Sequence, residues 1–345
     1  MYEFRNDYNS VGHPKVVERL MDQVHTVYPG YGFDQASDRA KEMIQEKIKK
    51  DVQINFVPSG TSANILSLTA TLKPYEGVVA AESGHIVNDE AGALEAVGHK
   101  VVFVESQDGK IKPQALEDYL AQDHDFFNIL PKIVYISNST ELGTVYRKAE
   151  LERIYKACQD HGVYLYIDGA RMGSALMSPA CDYSLEDLAG LCDIFTIGGT
   201  KNGALFGEAV VFCNKDLGEN FHYYLKQHGV LTAKGFLMGL QYQALFTDDL
   251  YFENAKIANS MAMKLAEGVK DLGLDFAYPA ESNQIFVSLP AGLLDKLAQT
   301  VTFEDFGPLE GDRECVRFVT TYHTKEEEVQ GLISSLKTYF KAFEI

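Results

Sequence analysis

Short apolar segments alternate with longer amphipathic segments over most of the first 245 residues. Several apolar segments are continuous, which is typical of strands buried on both faces of a sheet. The amphipathic segments carry apolar residues at helical spacing, as residues 148–160 do with Leu151, Ile154 and Cys158. This alternation predicts an α/β fold with a mainly parallel, seven-stranded sheet sandwiched by helices, the strands covering residues 53–57, 77–81, 100–104, 132–137, 163–167, 194–197 and 209–213.

The pattern changes after about residue 247. It then predicts a helix, two strands and a last amphipathic helix, over residues 249–272, 284–289, 315–319 and 325–343. Such a series forms a small α+β unit. We therefore predict a large α/β domain over residues 1–247 and a smaller α+β C-terminal domain over residues 248–345, with the N-terminal segment packed on the small domain.

The composition is that of an ordinary globular protein, with 46% hydrophobic and 23% charged residues in a chain of 345. Acidic residues outnumber basic ones by 49 to 31, and the formal net charge is −18. A nucleic-acid surface needs a clustered basic face, so this charge argues against a nucleic-acid partner. A small anionic ligand is still compatible with it where a few cations converge.

The cysteines and the start of the chain exclude other classes of protein. Five cysteines are scattered without a CxxC pair or a histidine at metal-ligand spacing, so we expect reduced thiols and no metal site. The first residues lack an apolar stretch, and no apolar run approaches the roughly 18 residues that cross a membrane. We therefore expect a cytoplasmic protein with no membrane partner.

Residues 58–64, with the sequence PSGTSAN, follow a predicted strand and open a helix. A turn of this kind points free backbone N–H groups, small hydroxyls and the positive end of the helix dipole at one place. Gly60 and Thr61 lie there, and the segment is typical of a phosphate site. An ordinary helix N-cap explains the same residues, and the segment matches neither the GxxxxGK nor the GxGxxG pattern.

Asp168 and Lys201 follow two successive predicted strands. Asp168 ends an apolar strand, so its carboxylate lies at the carboxyl edge of the sheet, where open α/β sheets bind ligands. Lys201 follows a strand that ends in glycines, which leave room for a large flat group beside the amine. A helix cap and a surface lysine are the ordinary interpretations of the two residues taken singly. Together they match the two protein groups that pyridoxal 5′-phosphate requires, a carboxylate for the ring nitrogen and a lysine for a Schiff base.

With these residues in place, the chain resembles the threonine aldolase and β-eliminating lyase group of fold-type-I pyridoxal phosphate enzymes, the low-specificity L-threonine aldolases in particular. The resemblance extends over nearly the whole chain. It rests on the PSGTSAN segment, on the DGAR segment at residues 168–171, on the lysine strand and on shorter motifs at residues 4–8, 31–34, 82–86, 90–93 and 316–320. It implies the aspartate aminotransferase fold.

The resemblance assigns cofactor roles to matching residues. It implies that Gly60 and Thr61 hold the cofactor phosphate, that Asp168 pairs with the ring nitrogen, and that Lys201 carries the Schiff base with Thr200 beside it as a further cofactor contact. His85 resembles a family histidine that stacks on the ring, and it is our first candidate for handling the substrate hydroxyl proton. An ordinary core or surface histidine is the alternative for that residue.

The resemblance also implies how substrate and neighbouring chains are bound. Arg171 and Arg317 match the pair that binds the substrate α-carboxylate, with Asn6 as a further substrate contact, although Arg171 is also compatible with a solvated arginine. Arg171 and Lys226 are implied to contact the cofactor as well. The family forms homotetramers built from dimers with shared active sites, and Tyr31 and Lys226 lie in segments expected to reach a neighbour's phosphate site.

The implied reaction is the cleavage of L-threonine, L-allo-threonine or a related β-hydroxy-α-amino acid to glycine and an aldehyde, through a Schiff base and a quinonoid. The chain departs from the family at residues 6–8, which read Asn-Asp-Tyr in place of Ser-Asp-Thr, and at residues 138–141, which read NSTE in place of Glu-Asn-Thr-His. A histidine near the substrate hydroxyl is therefore missing, and a bulkier substrate such as phenylserine is an alternative. Two other hypotheses remain. The chain is a β-eliminating lyase that acts on an amino acid with a leaving group on Cβ, or it is a non-catalytic regulatory protein with the same fold.

Overall fold

The structure is a computed structural model that describes residues 1–341. Fifteen strands are present in this part of the chain: β1 (Tyr2–Glu3), β2 (Gln53–Val57), β3 (Glu76–Ala81), β4 (Val101–Val104), β5 (Ser106–Gln107), β6 (Lys110–Ile111), β7 (Leu130–Ser137), β8 (Tyr164–Asp168), β9 (Ile194–Gly198), β10 (Glu208–Phe212), β11 (Asp275–Phe276), β12 (Gln284–Pro290), β13 (Val301–Thr302), β14 (Glu304–Leu309) and β15 (Arg313–Val319).

Seven of these strands form the large sheet, in the order β2-β10-β9-β8-β7-β3-β4. The neighbours from β9 to β4 pair in parallel, and only β10 runs antiparallel to both of its neighbours. All seven predicted strands are confirmed, with ends shifted by at most two residues. The prediction of a mainly parallel, seven-stranded sheet is therefore confirmed.

Fourteen α-helices occur within residues 1–341: α1 (Pro14–Asp22), α2 (Gln35–Ile48), α3 (Gly60–Thr71), α4 (His85–Asn88), α5 (Ala93–Ala96), α6 (Pro113–Leu120), α7 (Lys148–Asp160), α8 (Met172–Leu176), α9 (Leu185–Leu188), α10 (Phe221–Gln227), α11 (Phe236–Phe246), α12 (Leu250–Asp271), α13 (Leu294–Leu297) and α14 (Glu326–Lys341). The helix predicted over residues 148–160 is confirmed as α7. The predicted end of the last helix, at residue 343, lies outside the described residues. Within those residues no helix combines the length and apolar character needed to cross a membrane.

Alternate residues along the central strands belong to two different apolar cores. On β7, Val134 and Ile136 contribute to one core, whereas Ile133 and Tyr135 contribute to the other. The large sheet is therefore covered by side chains on both faces, which explains why its strands are continuous apolar segments.

A second, four-stranded antiparallel sheet lies in the C-terminal part, in the order β11-β12-β15-β14. The predicted strands at 284–289 and 315–319 correspond to β12 and β15, and the predicted helix at 249–272 corresponds to α12. The two outer strands, β11 and β14, were not predicted. The smaller C-terminal α+β unit is thus confirmed, while its boundary near residue 247 stays a prediction.

The N-terminal segment crosses from the C-terminal sheet to the large sheet. β1 pairs in parallel with β13, and Val319 donates its N–H to the Phe4 carbonyl at 2.8 Å. Three residues later the buried Asp7 contacts Arg171, which follows β8 of the large sheet. This short segment therefore brings a side chain of the N-terminus to the place where the two sheets meet.

Candidate active site

The carboxyl ends of β7, β8 and β9 meet at one edge of the large sheet, and the candidate active site lies there. Asp168 ends β8 and is 5% exposed. Its Oδ2 accepts hydrogen bonds from Asn64 Nδ2 at 2.8 Å and from the Tyr135 hydroxyl at 2.7 Å, and its Oδ1 accepts one from the Ala170 N–H at 2.8 Å. The carboxylate is therefore buried, fixed in orientation and supplied with donors.

His85 is connected to Asp168 through a chain of two residues, Glu90 and Asn64. His85 Nδ1 lies 2.8 Å from Glu90 Oε1, and Asn64 Nδ2 donates to both Glu90 and Asp168. The hydrogen bond that His85 donates to the Glu90 carboxylate raises the pKa of His85. It outweighs the opposing effect of burial, and the charge of Asp168 adds to it. The imidazole is therefore held in one orientation, and its protonated form is more favoured than that of an ordinary histidine.

Lys201 lies in a single 3₁₀ turn, Thr200–Asn202, directly after β9. Two glycines allow this turn to pack closely: a Cβ on Gly198 would lie 2.2 Å from the Ala170 carbonyl oxygen, and one on Gly199 would lie 2.7 Å from the Gly207 carbonyl oxygen. Burial lowers the pKa of Lys201, and the positive charge of Arg171 lowers it further. The amine is thus more often neutral than that of an ordinary surface lysine.

Thr200 stabilises the same turn through its side-chain hydroxyl. Its Oγ1 accepts a hydrogen bond from the Gly207 N–H at 3.0 Å, and the nearby Glu208 Oε2 accepts one from the Gly199 N–H at 3.1 Å. Burial raises the pKa of Glu208 to about 7. These contacts fix the loop that presents Lys201.

Arg171 is bound by a carboxylate of the protein itself. Its Nε donates to Asp7 Oδ2 at 2.7 Å and one of its terminal nitrogens donates to Asp7 Oδ1 at 3.0 Å, which is the bidentate geometry of an arginine–carboxylate pair. Asn283 donates to Asp7 Oδ2 at 3.0 Å. Burial opposes the charge of Asp7, but Arg171 and the hydrogen bonds outweigh it, so the pKa of Asp7 is lowered.

Arg317 is bound more loosely and comes from β15 of the C-terminal sheet. One of its terminal nitrogens donates to Gln284 Oε1 at 3.3 Å, its guanidinium lies 4.8 Å from the centre of the Phe306 ring, and its buried Nε has no partner within residues 1–341. Burial lowers the pKa of Arg317, and the charge of Arg171 adds to this effect. Arg317 therefore retains donors for an anionic group.

Several of these residues line one cavity of about 520 Å³ between the large sheet and the C-terminal sheet. His85, Arg171, Lys201 and Arg317 line it, together with Glu141. Side chains predicted from four separate parts of the sequence are thus brought to a single space, large enough for an amino acid.

The N-terminus of α3 provides free backbone donors. Ser59 caps the helix, since its side chain accepts from the Ser62 N–H at 3.2 Å and its carbonyl accepts from the Ala63 N–H at 3.0 Å. The N–H groups of Gly60 and Thr61 are left without an acceptor among residues 1–341. The two interpretations of this segment, an N-cap and an anion site, are therefore both compatible with the geometry.

Two predicted site residues, Lys226 and Asn6, are not among the residues that line this cavity. Lys226, on α10, is exposed and has its Nζ 4.7 Å from the centre of the Tyr31 ring. Asn6 accepts the Tyr8 N–H at 3.1 Å, while its neighbour Asp7 points to Arg171. The cofactor role of Lys226 and the substrate role of Asn6 stay predictions.

Five residues of the site were not assigned a role from the sequence, and what they share is contact with a predicted residue. They are Asp7, Asn64, Glu90, Tyr135 and Glu141. Asn64 ends the PSGTSAN segment, and this position was a signal that could have identified it. Asp7, Glu90 and Glu141 lie in segments compared with the family, but no role follows from those segments alone, and Asp7 and Glu141 contact residues far away along the chain.

Together these features define an α/β enzyme whose active site lies at the carboxyl edge of the sheet, against a second domain. A family model described as beta-eliminating lyase matches residues 3–291. The chain belongs to the beta-eliminating lyase family, and it is a lyase of that family.

Two similar proteins support this assignment, and a third supports the fold. A low specificity L-threonine aldolase from Pseudomonas aeruginosa is 33% identical over 311 residues, which cover 89% of this chain and 89% of the relative. A threonine aldolase structure from Leishmania major is 39% identical, has a TM-score of 0.96 and aligns over 98% of this chain and 99% of that one. An aspartate aminotransferase structure from Thermus thermophilus is 15% identical with a TM-score of 0.71, over 98% of this chain and 91% of that one, so it shows the fold alone. The predicted family and the predicted aspartate aminotransferase fold are both confirmed.

Proposed function

We propose that the chain binds pyridoxal 5′-phosphate at the carboxyl edge of the large sheet. The groups present fit this cofactor. The free N–H groups of Gly60 and Thr61 suit a phosphate, and the buried Asp168 carboxylate suits a protonated ring nitrogen. When bound, the cofactor supplies an aldehyde for a lysine and an electron-accepting ring for the substrate's Cα.

In this proposal the residues of the site have separate tasks. The lowered pKa of Lys201 keeps more of its amine neutral, and therefore nucleophilic, near neutral pH. Thr200 and its contacts hold the lysine loop, and His85, fixed by Glu90, suits a ring stacked on the cofactor. Arg317 has free donors for the substrate α-carboxylate, and Arg171 adds positive charge from the Asp7 side of the cavity.

We propose that the reaction is the cleavage of L-threonine, L-allo-threonine or a related β-hydroxy-α-amino acid to glycine and an aldehyde. One observation carries this proposal: Lys201, Arg171 and Arg317 line a single cavity, which places an amine and two guanidinium groups around one amino acid. The relatives from Pseudomonas aeruginosa and Leishmania major carry the name threonine aldolase, which favours this reaction among those of the family.

The second candidate is β-elimination from an amino acid with a Cβ leaving group, which the description of the matching family model favours. The two reactions have different products. Cleavage releases glycine and an aldehyde, whereas elimination releases ammonia and, from a three-carbon substrate, pyruvate.

The test is the visible absorbance of the purified protein after reconstitution with pyridoxal 5′-phosphate, followed by product analysis. We expect a cofactor band, aldehyde and glycine from L-threonine, L-allo-threonine or phenylserine. Lys201→Ala should lose both the wild-type band and turnover, because the amine that binds the cofactor is removed. Ammonia and a keto acid without aldehyde would support the lyase, and a Lys201→Ala variant with wild-type turnover would overturn the proposal.

We further infer that chains associate as dimers within a homotetramer, and that Lys226 serves a neighbour's cofactor site. Its exposure, and its separation from the residues that line the cavity of its own chain, support this role. The predicted cytoplasmic location stays a prediction.

A further inference from the structure

Cleavage of a β-hydroxy-α-amino acid requires a base, because the β-hydroxyl must lose its proton as the bond between Cα and Cβ breaks. His85 lines the cavity but is poorly suited to this task. Its Nδ1 is engaged by Glu90 at 2.8 Å, and because its pKa is raised, less of the imidazole is neutral at a given pH than in an ordinary histidine. The base must therefore be sought among the other residues of the cavity.

Glu141 is a carboxylate at the right place. Ser137, the last residue of β7, pairs in register with Asp168, and the chain then turns so that Glu141 comes back to the same edge of the sheet. Glu141 Oε1 accepts the His85 N–H at 3.0 Å and the Ser137 hydroxyl. These two donors hold the side chain against the cavity that Lys201 and Arg317 also line.

The second carboxylate oxygen of Glu141 is still available. Oε1 accepts both hydrogen bonds, so Oε2 has no protein partner among residues 1–341. The residue is only partly exposed, and burial raises its pKa above the ordinary value for a glutamate. A carboxylate with a raised pKa is a better match to a hydroxyl proton at neutral pH than an ordinary surface carboxylate.

We propose that Glu141 is the catalytic base that takes the β-hydroxyl proton of the substrate; this inference rests on the proposed aldolase function. The carboxylate accepts the proton, the O–H electron pair becomes the second bond of the aldehyde carbonyl, and the Cα–Cβ bond breaks with its electron pair left on Cα. A proton delivered to Cα completes glycine and balances the one that Glu141 accepted. Glu141 thus takes the role that the sequence alone had suggested for His85.

The first test compares cleavage, which needs a base for the β-hydroxyl proton, with a reaction of glycine that does not need one. Glu141→Gln keeps an oxygen that accepts the His85 and Ser137 donors but cannot act as a base, so cleavage should fall about 100-fold or more. The comparison reaction is the exchange of the glycine Cα hydrogen for deuterium in deuterated water, monitored by NMR. It uses the same lysine and cofactor, but glycine has no β-hydroxyl. It should stay within about threefold of wild type. Glu152→Gln, the same change on the exposed surface of α7, is the matched control and should alter neither rate.

A binding measurement provides a readout that does not depend on turnover. 2-Aminobutyrate has the carbon chain of threonine without the hydroxyl, and its Kd can be measured by titrating the absorbance of the cofactor. Glu141→Gln should bind it about as well as wild type. A cleavage rate, an exchange rate and an affinity that all fall together would mean that Glu141 only supports the loop, and would overturn the proposal.

The second test changes the pKa of Glu141 without removing it. The Ser137 hydroxyl lowers that pKa, so Ser137→Ala should raise it. A base works only when ionised, so the rise of the cleavage rate with pH should move to higher pH in Ser137→Ala, while the pH profile of glycine exchange stays in place. A cleavage profile that does not shift in Ser137→Ala would contradict the proposal.

The failure of this inference and the failure of the proposed function give different results. If wild type releases aldehyde and Glu141→Gln is equally active, only this inference is overturned. If wild type releases no aldehyde, the proposed function is overturned.

Discussion

At the scale of single residues, the candidate site contains a buried ion pair whose two members come from distant parts of the chain. Asp7 and Arg171 form the clearest pair, with 1% and 11% of their side chains exposed. Removing a charge from water costs several kcal/mol, and only the partner compensates it. The loss of one member is therefore expected to cost more free energy than the intact pair contributes.

Asp7→Asn tests this pair. The change leaves Arg171 buried without its counter-ion, so we expect the free energy of unfolding to fall by about 3 kcal/mol, measured with urea at a fixed chain concentration. Asp51→Asn is the matched control, because Asp51 pairs with Lys215 but is 78% exposed. That change should cost less than about 1 kcal/mol. Equal losses in the two variants would contradict the role given to burial.

The pH dependence of the same variant has a defined sign. The pKa of Asp7 is lower in the folded state than in the unfolded state, so its stabilising contribution is fully present above the unfolded value, near 4. That contribution is lost as the pH falls through the lower folded value. The stability difference between wild type and Asp7→Asn should therefore be constant from about pH 6 to 8 and shrink in acid.

Some residues of the candidate site could be predicted from the sequence and others could not, for a physical reason. Asp168 and Lys201 stand directly after predicted strands, and local order along the chain places such residues at one edge of a sheet. Asp7 lies 164 positions from Arg171, and nothing in the spacing of apolar residues links the two. Pairings of this kind depend on how whole elements pack, which the local pattern does not record.

At the scale of elements, helix α3 combines stability and binding at one end. Ser59 and Ser62 form a reciprocal capping box, which satisfies the third N–H of the helix and leaves those of Gly60 and Thr61 free. The same cap therefore fixes the orientation of the two donors that we assign to the cofactor phosphate.

Ser59→Ala removes this cap and should lower the stability by about 1 kcal/mol. It should also weaken cofactor binding several-fold, since the free N–H groups lose their fixed orientation, as measured by the absorbance of the cofactor at graded concentrations. Ser184→Ala is the control, because Ser184 caps α9 with the same kind of box, formed with Asp187. It should affect stability but leave cofactor affinity unchanged. Equal cofactor affinity in the two variants would remove α3 from the proposed site.

The elements also mark the limit of prediction from periodicity. Strand β7 was predicted because Ile133, Val134 and Ile136 are apolar on both of its faces. Strand β14 is interrupted by Gly307 and Pro308 where its register with β15 shifts, so its residues show no alternation that would identify it. The antiparallel direction of β10 could not be predicted from the sequence either, because direction depends on strand pairing and not on the apolar pattern of one strand.

At the scale of the whole molecule, the candidate site is made where three parts of the chain meet. Lys201 comes from the large sheet, Arg317 from the C-terminal sheet, and Asp7 from the N-terminal segment. Asn283 donates to Asp7 at 3.0 Å and to the Thr320 carbonyl at 3.0 Å, which connects the N-terminal segment to the C-terminal sheet. Lys226 is outside this arrangement, and its proposed role requires a second chain.

Mixing two defective variants, at a cofactor concentration too low to fill the sites of Lys226→Ala, tests whether Lys226 acts across chains. Lys226→Ala should bind the cofactor at least about 10-fold more weakly than wild type, since it loses a charged contact to a phosphate. Lys201→Ala should be inactive. After unfolding and joint refolding at equal amounts, half of the dimers are hybrids in which one site has both lysines, so about one quarter of all sites should be intact.

The recovered activity distinguishes a contact between chains from a contact within one chain. If Lys226 served the site of its own chain, each site of a hybrid would lack one lysine and no activity would return. The control mixture pairs Lys226→Ala with a chain carrying both changes, which cannot restore a complete site in either arrangement. Activity near one quarter of the wild-type value in the first mixture, with no recovered activity in the control mixture, would place Lys226 in the neighbour's site. A Lys226→Ala variant with wild-type cofactor affinity would instead mean that the exposed lysine over Tyr31 has no part in binding the cofactor.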